Sequence, residues 1–449
     1  MLRTAETGLK KWHHSNKRHP LIIRGARQVG KSTLVRDFAL HEGMRLNEID
    51  LYRNLHLADI FKTHDPVKIC DELSGFLSRD VRAPGSLLFL DEIQAIPEAI
   101  SALRYFHEEM PELPVVSAGS LLEFALTEHR FSMPVGRVEY MFLGPVTFSE
   151  FAAAANAYLA DMLTEEKIMA GLSRTSHAGL MELVRQFIFI GGMPEAVQAW
   201  LDTGQMPEVT AVHRRITNTY IDDFAKYASG TDLALMQSIF RSMPAHVGEK
   251  VKYAAYSRDQ KAAKVASAIE LFVKARLACP VVHADCNGLP MGAEERPAVR
   301  KLLFADCGLM NYANGLIWPD ISNLDDVRLV NEGALAEQFI GQHLFFRRGF
   351  FEEPRLHYWL REGSASNAEV DYAIERGRGI LPIEVKAGKA GSMKSLRQMM
   401  LEKRLTEAMR FDTSPYSMQR IRTEDARHGA WEWTLTSVPL YGVEPMTCA

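Results

Sequence analysis

The residues whose chemistry stands out first lie between Gly25 and Thr33, where the chain reads Gly-Ala-Arg-Gln-Val-Gly-Lys-Ser-Thr. This order fits the P-loop pattern G-x-x-x-x-G-K-[ST], whose backbone N–H groups surround phosphate oxygens. We expect Lys31 to reach the β- and γ-phosphates and Ser32 to hold Mg²⁺. A chance loop match is the alternative. The predicted ATP contacts are Gly25, Ala26, Arg27, Gln28, Val29, Gly30, Lys31, Ser32 and Thr33.

The segments on either side of this loop are predicted to be a strand and a helix, as in a P-loop. The apolar run at residues 20–24 predicts a buried strand. Leu34, Val35, Phe38 and Leu40 then recur at helical spacing. The order strand, glycine loop, helix places a helix N-terminus, which favours anions, next to the predicted phosphates.

Two adjacent acids follow a second apolar run, in the order Leu-Leu-Phe-Leu-Asp-Glu at residues 87–92. A parallel strand that is buried on both faces has continuous apolar sequence, and its carboxyl end lies at the ligand crevice. This is the Walker B form, so Asp91 is predicted to hold Mg²⁺ and Glu92 to orient or deprotonate the attacking water. A strand that ends in a solvated acidic turn is the alternative.

Further polar groups follow the next strands. The segment 114–120 predicts a strand that ends in small polar residues, and Ser117 and Ser120 are candidates for sensing the γ-phosphate. Arg137 precedes another apolar strand, where a guanidinium could act as an arginine finger. A serine-glycine turn without a ligand and an ordinary surface arginine are the alternatives.

These motifs together resemble a prokaryotic family of AAA-type ATPases that carry a domain of unknown function after the ATPase. The resemblance rests on residues 24–32, 91–94, 118–120, 134–137, 148–151, 191–196 and 220–224, and we expect it to run through nearly the whole chain. Ser32 stands where many relatives have threonine, and both offer a hydroxyl to Mg²⁺. The resemblance implies an α/β P-loop core with a helical lid, then a winged helix.

Composition limits the other function classes. The chain has 449 residues, 47% of them hydrophobic, which is enough for more than one buried core. The formal net charge is −4, so a nucleic-acid surface must be a local patch. No apolar run approaches the ~18 residues of a membrane span. Five cysteines without C-x-x-C spacing indicate free thiols. We therefore predict a cytoplasmic protein without a membrane partner.

The pattern changes along the chain and predicts four domains. They are an ATPase core at 1–150, a helical lid at 151–205, a mainly α winged-helix-like DNA-binding domain at 206–325 and an α/β restriction-endonuclease-like domain at 326–449. Basic residues between Lys250 and Lys264 are a candidate phosphate-contacting face. A solvated helix face is the alternative.

The last segment combines acids and a lysine in a recognisable order. A helix bears Glu337, a strand bears Asp371, and the next strand reads Glu384-Val385-Lys386. This arrangement resembles the PD-(D/E)XK nuclease core, in which carboxylates hold Mg²⁺ against a phosphate and the lysine stabilises developing charge. An ordinary surface pair of Lys386 and Glu384 is the alternative.

Two functions follow from these predictions. The first is Mg-dependent ATP hydrolysis coupled to nucleic-acid binding, DNA in particular, with a metal-dependent C-terminal nuclease. The second is an ATP-switched regulatory or DNA-binding protein whose nuclease-like domain is a scaffold. A signalling NTPase whose rear half binds protein remains a third alternative, and the sequence leaves a homo-oligomer open.

Overall fold

The computed structural model describes residues 1–119, 136–225, 228, 230–316, 332–362, 367–387, 393–425 and 428–447. These residues form two compact units. The first comprises Met1–Pro145 with Lys274–Arg276 and Gly349–Glu353. The second comprises Val146–Val273, Leu277–Arg348 and Pro354–Ala449. Within the described parts of the chain, no helix is both long and apolar enough to cross a membrane.

The first unit is built on a five-stranded parallel sheet. Its strand order is β2-β3-β4-β1-β5. The strands are β1 (Leu21–Arg24), β2 (Arg45–Asp50), β3 (Ser86–Asp91), β4 (Val115–Gly119) and β5 (Glu139–Phe142). The helices are α1 (Ala5–His13), α2 (Lys31–His41), α3 (Ala58–Phe61), α4 (Pro66–Leu77) and α5 (Pro97–Glu109). The predicted parallel α/β core is confirmed, and β1, β3 and β4 each begin and end within one residue of the predicted runs 20–24, 87–92 and 114–120.

The continuous apolar sequence of β3 is explained by burial on both faces. Leu87, Leu88, Phe89 and Leu90 are each fully buried. Leu88 and Leu90 belong to a core with residues of α4 and α5, including Phe106. Burial of such side chains stabilises the unit by about 1.5–3 kcal/mol each. This packing fixes the position of the strand. Its last residue, Asp91, therefore lies at the carboxyl ends of the strands, next to the P-loop.

The second unit contains helices along its whole length, and its first part is a helical region. Its helices are α6 (Phe148–Ala155), α7 (Ala157–Ala160), α8 (Glu165–Ala170), α9 (Arg174–Ile190), α10 (Pro194–Thr203), α11 (Met206–Phe224), α12 (Gly230–Ser242), α13 (Tyr253–Tyr256), α14 (Ala262–Lys274), α15 (Cys307–Ala313), α16 (Glu332–Phe345), α17 (Lys394–Lys403) and α18 (Val443–Thr447). The segment 151–201 is mainly helical, as the sequence predicts. Its role as an ATPase lid stays a prediction.

An eight-stranded mixed sheet organises the rest of the second unit, in the order β12-β13-β11-β10-β9-β8-β6-β7. The strands are β6 (Ala278–Ala284), β7 (Glu295–Phe304), β8 (Leu356–Arg361), β9 (Ala368–Arg376), β10 (Gly379–Val385), β11 (Glu407–Asp412), β12 (Ser417–Asp425) and β13 (Gly429–Pro439). The antiparallel pair β6–β7 follows helices α12 to α14, and β6 pairs in parallel with β8. The strands of segments 206–325 and 326–449 therefore share one sheet, and the winged-helix and nuclease-like assignments stay predictions.

A buried carboxylate ties α15 to the turn after α9. Asp306 caps α15 by accepting a bond from Leu309 N at 2.9 Å, and it accepts another from Gly192 N at 2.5 Å. Gly191 has φ 73°, and a Cβ there would lie 2.1 Å from Asp306 Oδ1. Only glycine fits this approach without strain. Burial raises the pKa of Asp306 to about 6.

Candidate functional site

The P-loop lies between the end of β1 and the start of α2. Gly30 is the N-cap of α2 and has φ 90°, a conformation that glycine adopts without steric cost. A Cβ on Gly25 would lie 2.3 Å from the carbonyl oxygen of Leu143, so the backbone passes where no other residue fits. The remaining loop residues differ in exposure: Ala26 and Val29 are buried, Arg27 and Ser32 are half-buried, and Gln28 and Thr33 are exposed.

Lys31 is folded back onto the loop. Its Nζ donates to the carbonyl oxygens of Gly25 at 3.0 Å and Ala26 at 2.9 Å. The residue is 8% exposed. Burial lowers the pKa of Lys31 to about 8, against the opposing attraction of Glu92 and Asp91. A phosphate group would give this buried ammonium the anionic partner that it lacks in the loop.

The two groups predicted to face Mg²⁺ contact each other. Ser32 Oγ donates to Asp91 Oδ2 at 2.6 Å, and Glu92 N donates to Asp91 Oδ1 at 3.0 Å. Burial raises the pKa of the Asp91 carboxyl. A hydroxyl and a carboxylate are the oxygen ligands that suit Mg²⁺, so this pair fits the ion in its donor chemistry.

Glu92 follows Asp91 in a left-handed backbone conformation, with φ 50°. Gln94 Nε2 donates to Glu92 Oε2. This bond orients the Glu92 carboxylate, which makes Gln94 a positioning group. The motif identified Glu92 but gave Gln94 no role.

The two predicted γ-phosphate sensors have different outcomes. Ser117 is fully buried, and its Oγ donates to Leu21 O of the neighbouring strand at 3.2 Å. Its hydroxyl is thus used inside the sheet. Ser120 lies outside the described residues.

Arg137 has a side chain that is 43% exposed, and its Nε donates to Glu108 Oε1 at 2.8 Å. Its ion pair is therefore with the end of α5.

Arg3 supports the P-loop and has no signal in the local sequence pattern. Its guanidinium donates from Nη1 to Val29 O at 3.1 Å and from Nη2 to Gly144 O at 2.9 Å. Charge-assisted bonds of this kind are stronger than neutral ones. Arg3 therefore joins the loop to the segment after β5. Sequence reasoning missed it because the contact spans most of the unit.

The structure brings the C-terminal acids and lysine together and adds a second lysine and a fourth acid. We call this set the carboxylate–lysine cluster: Lys301, Glu337, Glu369, Asp371, Glu384 and Lys386. Asp371 and Glu384 lie on the adjacent antiparallel strands β9 and β10, and Asp371 Oδ2 accepts from Val385 N at 2.7 Å. The neighbouring-strand arrangement that the sequence predicts is present.

Both lysines of the cluster pair with its acids. Lys386 Nζ lies 2.5 Å from Glu384 Oε1. Lys301 Nζ lies 2.5 Å from Glu369 Oε1 and 3.2 Å from Glu337 Oε1. The Lys301 side chain is 1% exposed and the Glu384 side chain 6% exposed. The Lys386–Glu384 pair is therefore not the ordinary surface pair of the alternative interpretation.

The electrostatics of the cluster show an excess of negative charge. Burial raises the pKa of Glu337 to about 7, with Asp371 adding to the rise and Lys301 opposing it. Burial and the charge of Asp371 likewise raise the pKa of Glu384 to about 7. Glu384 Oε2 is buried and has no hydrogen-bond partner among the residues that the structure describes. With every acid ionised, four carboxylates against two ammonium groups give a formal charge of −2, and the raised pKa values of Glu337 and Glu384 reduce this charge near neutral pH.

The donor atoms of this cluster suit a metal ion, but their arrangement does not. Carboxylate oxygens are the right donors for a hard divalent ion, and a charge of −2 matches it. The acids are, however, turned toward the two lysines and a backbone N–H. In the described parts of the chain, no three His, Cys, Asp or Glu side chains are arranged to hold a metal ion. The donor atoms therefore suit a divalent ion, but the two lysines and Val385 N already contact oxygens of all four acids.

The basic stretch of the middle segment separates into paired and exposed residues. Lys250 Nζ lies 2.5 Å from Glu362 Oε1, and Lys264 Nζ lies 2.5 Å from Asp232 Oδ1. The remaining cations of the stretch are exposed: Lys252, Arg258 and Lys261. Among the described residues, ion pairs therefore involve Lys250 and Lys264 of the predicted basic face, while Lys252, Arg258 and Lys261 are exposed.

Comparison with known proteins gives three family matches and no match to a curated protein. Residues 17–152 match an AAA domain, residues 181–320 a domain of unknown function (DUF8612), and residues 332–430 a domain of unknown function (DUF4143). Each match covers less than half of the chain.

Several solved structures are distantly similar. The Aeropyrum pernix ORC1 protein in complex with DNA has 12% identity, covers 72% of this chain and 95% of its own, and has a TM-score of 0.29. The A. pernix ORC2 protein (ADPNP-ADP complexes) has 11% identity, 72% and 96% coverage, and a TM-score of 0.32. The Thermotoga maritima RuvB Holliday junction branch migration motor has 16% identity, 61% and 88% coverage, and a TM-score of 0.27. At these scores the similarities carry no argument.

The sequence match and the geometry of the first unit agree. A parallel sheet carries a P-loop after β1, a Ser32–Asp91 contact at the end of β3 and an AAA-domain match over the same residues. Residues 17–152 therefore match the AAA domain in sequence and carry a P-loop on a parallel sheet.

Proposed function

We propose that the first unit binds Mg-ATP and hydrolyses it. The observation that carries this proposal is the bond from Ser32 Oγ to Asp91 Oδ2, beside the buried ammonium of Lys31. Lys31 would exchange its two carbonyl partners for the β- and γ-phosphates. Ser32 and Asp91 would hold a Mg²⁺ ion, which would supply positive charge to offset that of the phosphates. Glu92, oriented by Gln94, accepts the proton of the attacking water.

Nucleotide binding with and without Mg²⁺ tests these assignments. Lys31→Ala should lose ATP binding, because the phosphate-facing ammonium is removed. Ser32→Ala should bind ATP in EDTA as the wild type does, but gain little affinity from Mg²⁺. Thr63→Ala, which removes an exposed hydroxyl of the first unit outside the P-loop, is the matched control. Equal Mg²⁺ enhancement in Ser32→Ala and Thr63→Ala would contradict the metal role of Ser32.

We also propose that copies of the chain assemble when they hydrolyse ATP. Arg137 is held at the surface by Glu108. A guanidinium there is available to an ATP bound by a neighbouring copy, as an arginine finger in trans.

We also keep as a proposal the division of the chain into four domains, at 1–150, 151–205, 206–325 and 326–449.

The proposed partner of the middle segment is nucleic acid, DNA in particular. Helices α12 to α14 precede the β6–β7 pair, an order that winged-helix domains share, and Lys252, Arg258 and Lys261 are exposed. Exposed cations can neutralise phosphates and release counterions. ATP binding by the first unit would then regulate this affinity.

A charge-matched pair of variants tests this surface. Lys252→Gln/Lys261→Gln removes two exposed charges, whereas Lys250→Gln/Lys264→Gln removes two that are already ion-paired. The first should lower affinity for duplex DNA of every sequence and reduce the log–log salt slope by up to about 2. The second should change both less. Equal effects, or none, would assign the stretch to a solvated face.

The second candidate function is Mg²⁺- or Mn²⁺-dependent phosphodiester cleavage at the carboxylate–lysine cluster. The observation in its favour is the buried Glu384 Oε2, which has no hydrogen-bond partner in the described parts of the chain and lies in a cluster with more acids than lysines. Glu337, Asp371 and Glu384 would hold the ion, which when bound polarises the phosphate and acidifies water. Lys386 would stabilise the negative charge that develops on the phosphate oxygens.

Cleavage of single- and double-stranded DNA and RNA by the full-length protein tests this candidate. Incubation with Mn²⁺ and ATP should give products that Asp371→Asn and Glu384→Gln do not. Glu362→Gln, an acid outside the cluster, is the control and should cleave normally. Failure of the wild type to cut any substrate would favour the scaffold alternative, in which the domain binds without catalysis.

A further inference from the structure

A cavity of about 510 Å³ lies in the first unit at the amino ends of its strands. Its lining includes Met44, just before β2, Ser86, the first residue of β3, and Pro114, just before β4. Five steps of ~3.3 Å along β3 place Ser86 about 17 Å from Asp91 at the other end of the strand. The cavity therefore lies at the opposite ends of the strands from the predicted phosphate contacts, and its volume suits a small molecule.

Two polar atoms of the lining are buried and have no hydrogen-bond partner among the residues that the structure describes, namely Ser86 Oγ and His13 Nδ1. Ser86 is only 3% exposed. Buried polar atoms in folded proteins nearly always have a partner, so each exception needs an explanation. Burial lowers the pKa of His13, with Arg18 and His14 adding to the fall, so its ring is neutral at pH 7. A bound molecule would give this hydroxyl and this imidazole the partners that they lack.

Arg18 supplies positive charge to the same cavity. Its guanidinium donates to the carbonyl oxygens of His13 at 2.8 Å, Pro111 at 3.1 Å and Glu112 at 2.8 Å. These three acceptors hold the group in place but are neutral, so they do not balance its charge. Burial lowers the pKa of Arg18, against the attraction of Glu112. An anion in the cavity would therefore be stabilised by this half-buried cation.

The other charged side chains of the lining are paired or exposed to water. Arg82 lies 2.5 Å from Asp71, and Glu42 lies 3.3 Å from Lys10. Glu112 is exposed, so solvent screens its charge. One guanidinium without a carboxylate partner in the described parts of the chain remains, which matches a ligand that carries a single negative charge.

The rest of the lining is apolar. Met110, Leu113 and Pro114 are buried, and Met44 is half-buried. Methionine side chains adapt to the shape of a ligand, and their sulfur atoms make favourable contacts with aromatic rings. An apolar wall with a few convergent polar groups is typical of small-molecule sites. The wall therefore favours a ligand with an apolar, ring-sized body.

We propose that this cavity binds a small carboxylate with an apolar body, an aromatic ring in particular. The carboxylate would accept hydrogen bonds from Arg18 and from Ser86 Oγ, and the ring would lie against Met44 and Met110. A carboxylate fits better than a phosphate dianion, because one guanidinium supplies one charge and a fork that matches two oxygens. This site is separate from the proposed ATP chemistry and does not depend on it.

The test measures dissociation constants of three probes for the nucleotide-free, full-length protein by ligand-observed NMR titration. The probes are phenylacetate, indole-3-acetate and phenylacetamide, the uncharged match of phenylacetate. Both carboxylates should bind, and phenylacetamide should bind about tenfold more weakly, because it lacks the charge-assisted bond to Arg18. Excess Mg-ATP should leave phenylacetate bound, and its displacement would place the probe at the P-loop and overturn the inference.

Arg18→Met tests the charge. This variant should bind phenylacetate and phenylacetamide equally, because the group that distinguishes them is removed. A merely structural role of Arg18 would instead weaken both probes in the same proportion and keep their ratio, which would contradict the inference. If Arg18→Met does not fold, the decision rests on Ser86.

Ser86→Ala tests the unpartnered hydroxyl and should weaken phenylacetate binding by about tenfold. Without a ligand it should melt at or above the wild-type temperature, because it loses a buried polar atom that has no described partner. Ser117→Ala is the matched control, since its buried hydroxyl donates to Leu21 O. The control should melt below the wild type and bind phenylacetate equally well.

Three results would overturn the proposed site. They are no binding of either carboxylate at millimolar concentration, equal binding of phenylacetate and phenylacetamide by the wild type, and unchanged phenylacetate binding by Ser86→Ala. Each is independent of ATP hydrolysis, so failure of the carboxylate site and failure of the proposed ATPase are distinguishable.

Discussion

Replacement of Lys31 by methionine should stabilise the nucleotide-free protein while abolishing ATP binding. Burial lowers the pKa of Lys31 from 10.5 to about 8, so the folded chain disfavours the ammonium by about 3 kcal/mol at neutral pH. The unfolded chain binds the proton more tightly between pH 8 and 10.5. The free energy of unfolding therefore rises with pH through that window. Below pH 8 the full penalty for burying the Lys31 ammonium is present.

The expected gain is smaller than this limit. Methionine keeps the length of the side chain but leaves the carbonyls of Gly25 and Ala26 without their donor, which costs about 1 kcal/mol or more. A net stabilisation of about 1–2 kcal/mol remains, or about 2–8 °C in the melting temperature of the first unit. The variant should gain nothing from Mg-ATP, whereas the wild type should gain about 2.7 kcal/mol at 100 times the Kd.

Differential scanning calorimetry at pH 7 and pH 9.5, with and without Mg-ATP, measures both effects. Lys31→Arg retains the positive charge and is the control that should not be stabilised. The difference between Lys31→Met and the wild type should narrow at pH 9.5, because the wild-type amine is then largely neutral. A melting temperature of Lys31→Met at or below that of the wild type at pH 7 would refute the reasoning.

Three further predictions concern residues outside the P-loop. Arg137→Ala should bind ATP normally but lower kcat by about 10³-fold or more if it acts as a finger, and steady-state assays at several protein concentrations measure this. Arg3→Ala should increase hydrogen exchange at the amides around Val29, whereas Arg36→Ala, a surface pair with Glu48, should not. Asp306 has a raised pKa, about 6 instead of 3.8, so the folded chain holds the proton more tightly. Deprotonation of Asp306 should therefore lower the free energy of unfolding as the pH rises from 4 to 6. Denaturant titrations of Asp306→Asn at several pH values should lack this part of the pH dependence.

The sequence was sufficient for the parts of the fold that depend on local pattern. The apolar runs around Leu88 and Leu21 predict buried parallel strands because both faces of each strand are covered. The glycines and Lys31 are contiguous, so the phosphate loop can be recognised from a few neighbouring residues. The Ser32–Asp91 contact follows from the two motifs once the sheet is assumed.

The sequence was insufficient where distant segments meet. Arg3 reaches Val29, and Asp306 reaches Gly192, through contacts that no periodicity encodes. Lys301 could not be assigned to the carboxylate–lysine cluster, because β7 pairs with β6 and only the wider sheet brings it near Glu337. Ion pairs in the basic stretch were equally hidden, since Lys250 and Lys264 find acids far along the chain.

Single-turnover hydrolysis of ATP tests the central claim most directly. Wild type and Glu92→Gln are each mixed in excess with radiolabelled ATP and Mg²⁺, and bound nucleotide and released phosphate are followed in the same samples. We predict that both proteins bind ATP, that the wild type converts it to ADP and phosphate, and that Glu92→Gln retains it unhydrolysed. Hydrolysis by Glu92→Gln at the wild-type rate, or no ATP binding by the wild type, would contradict the account.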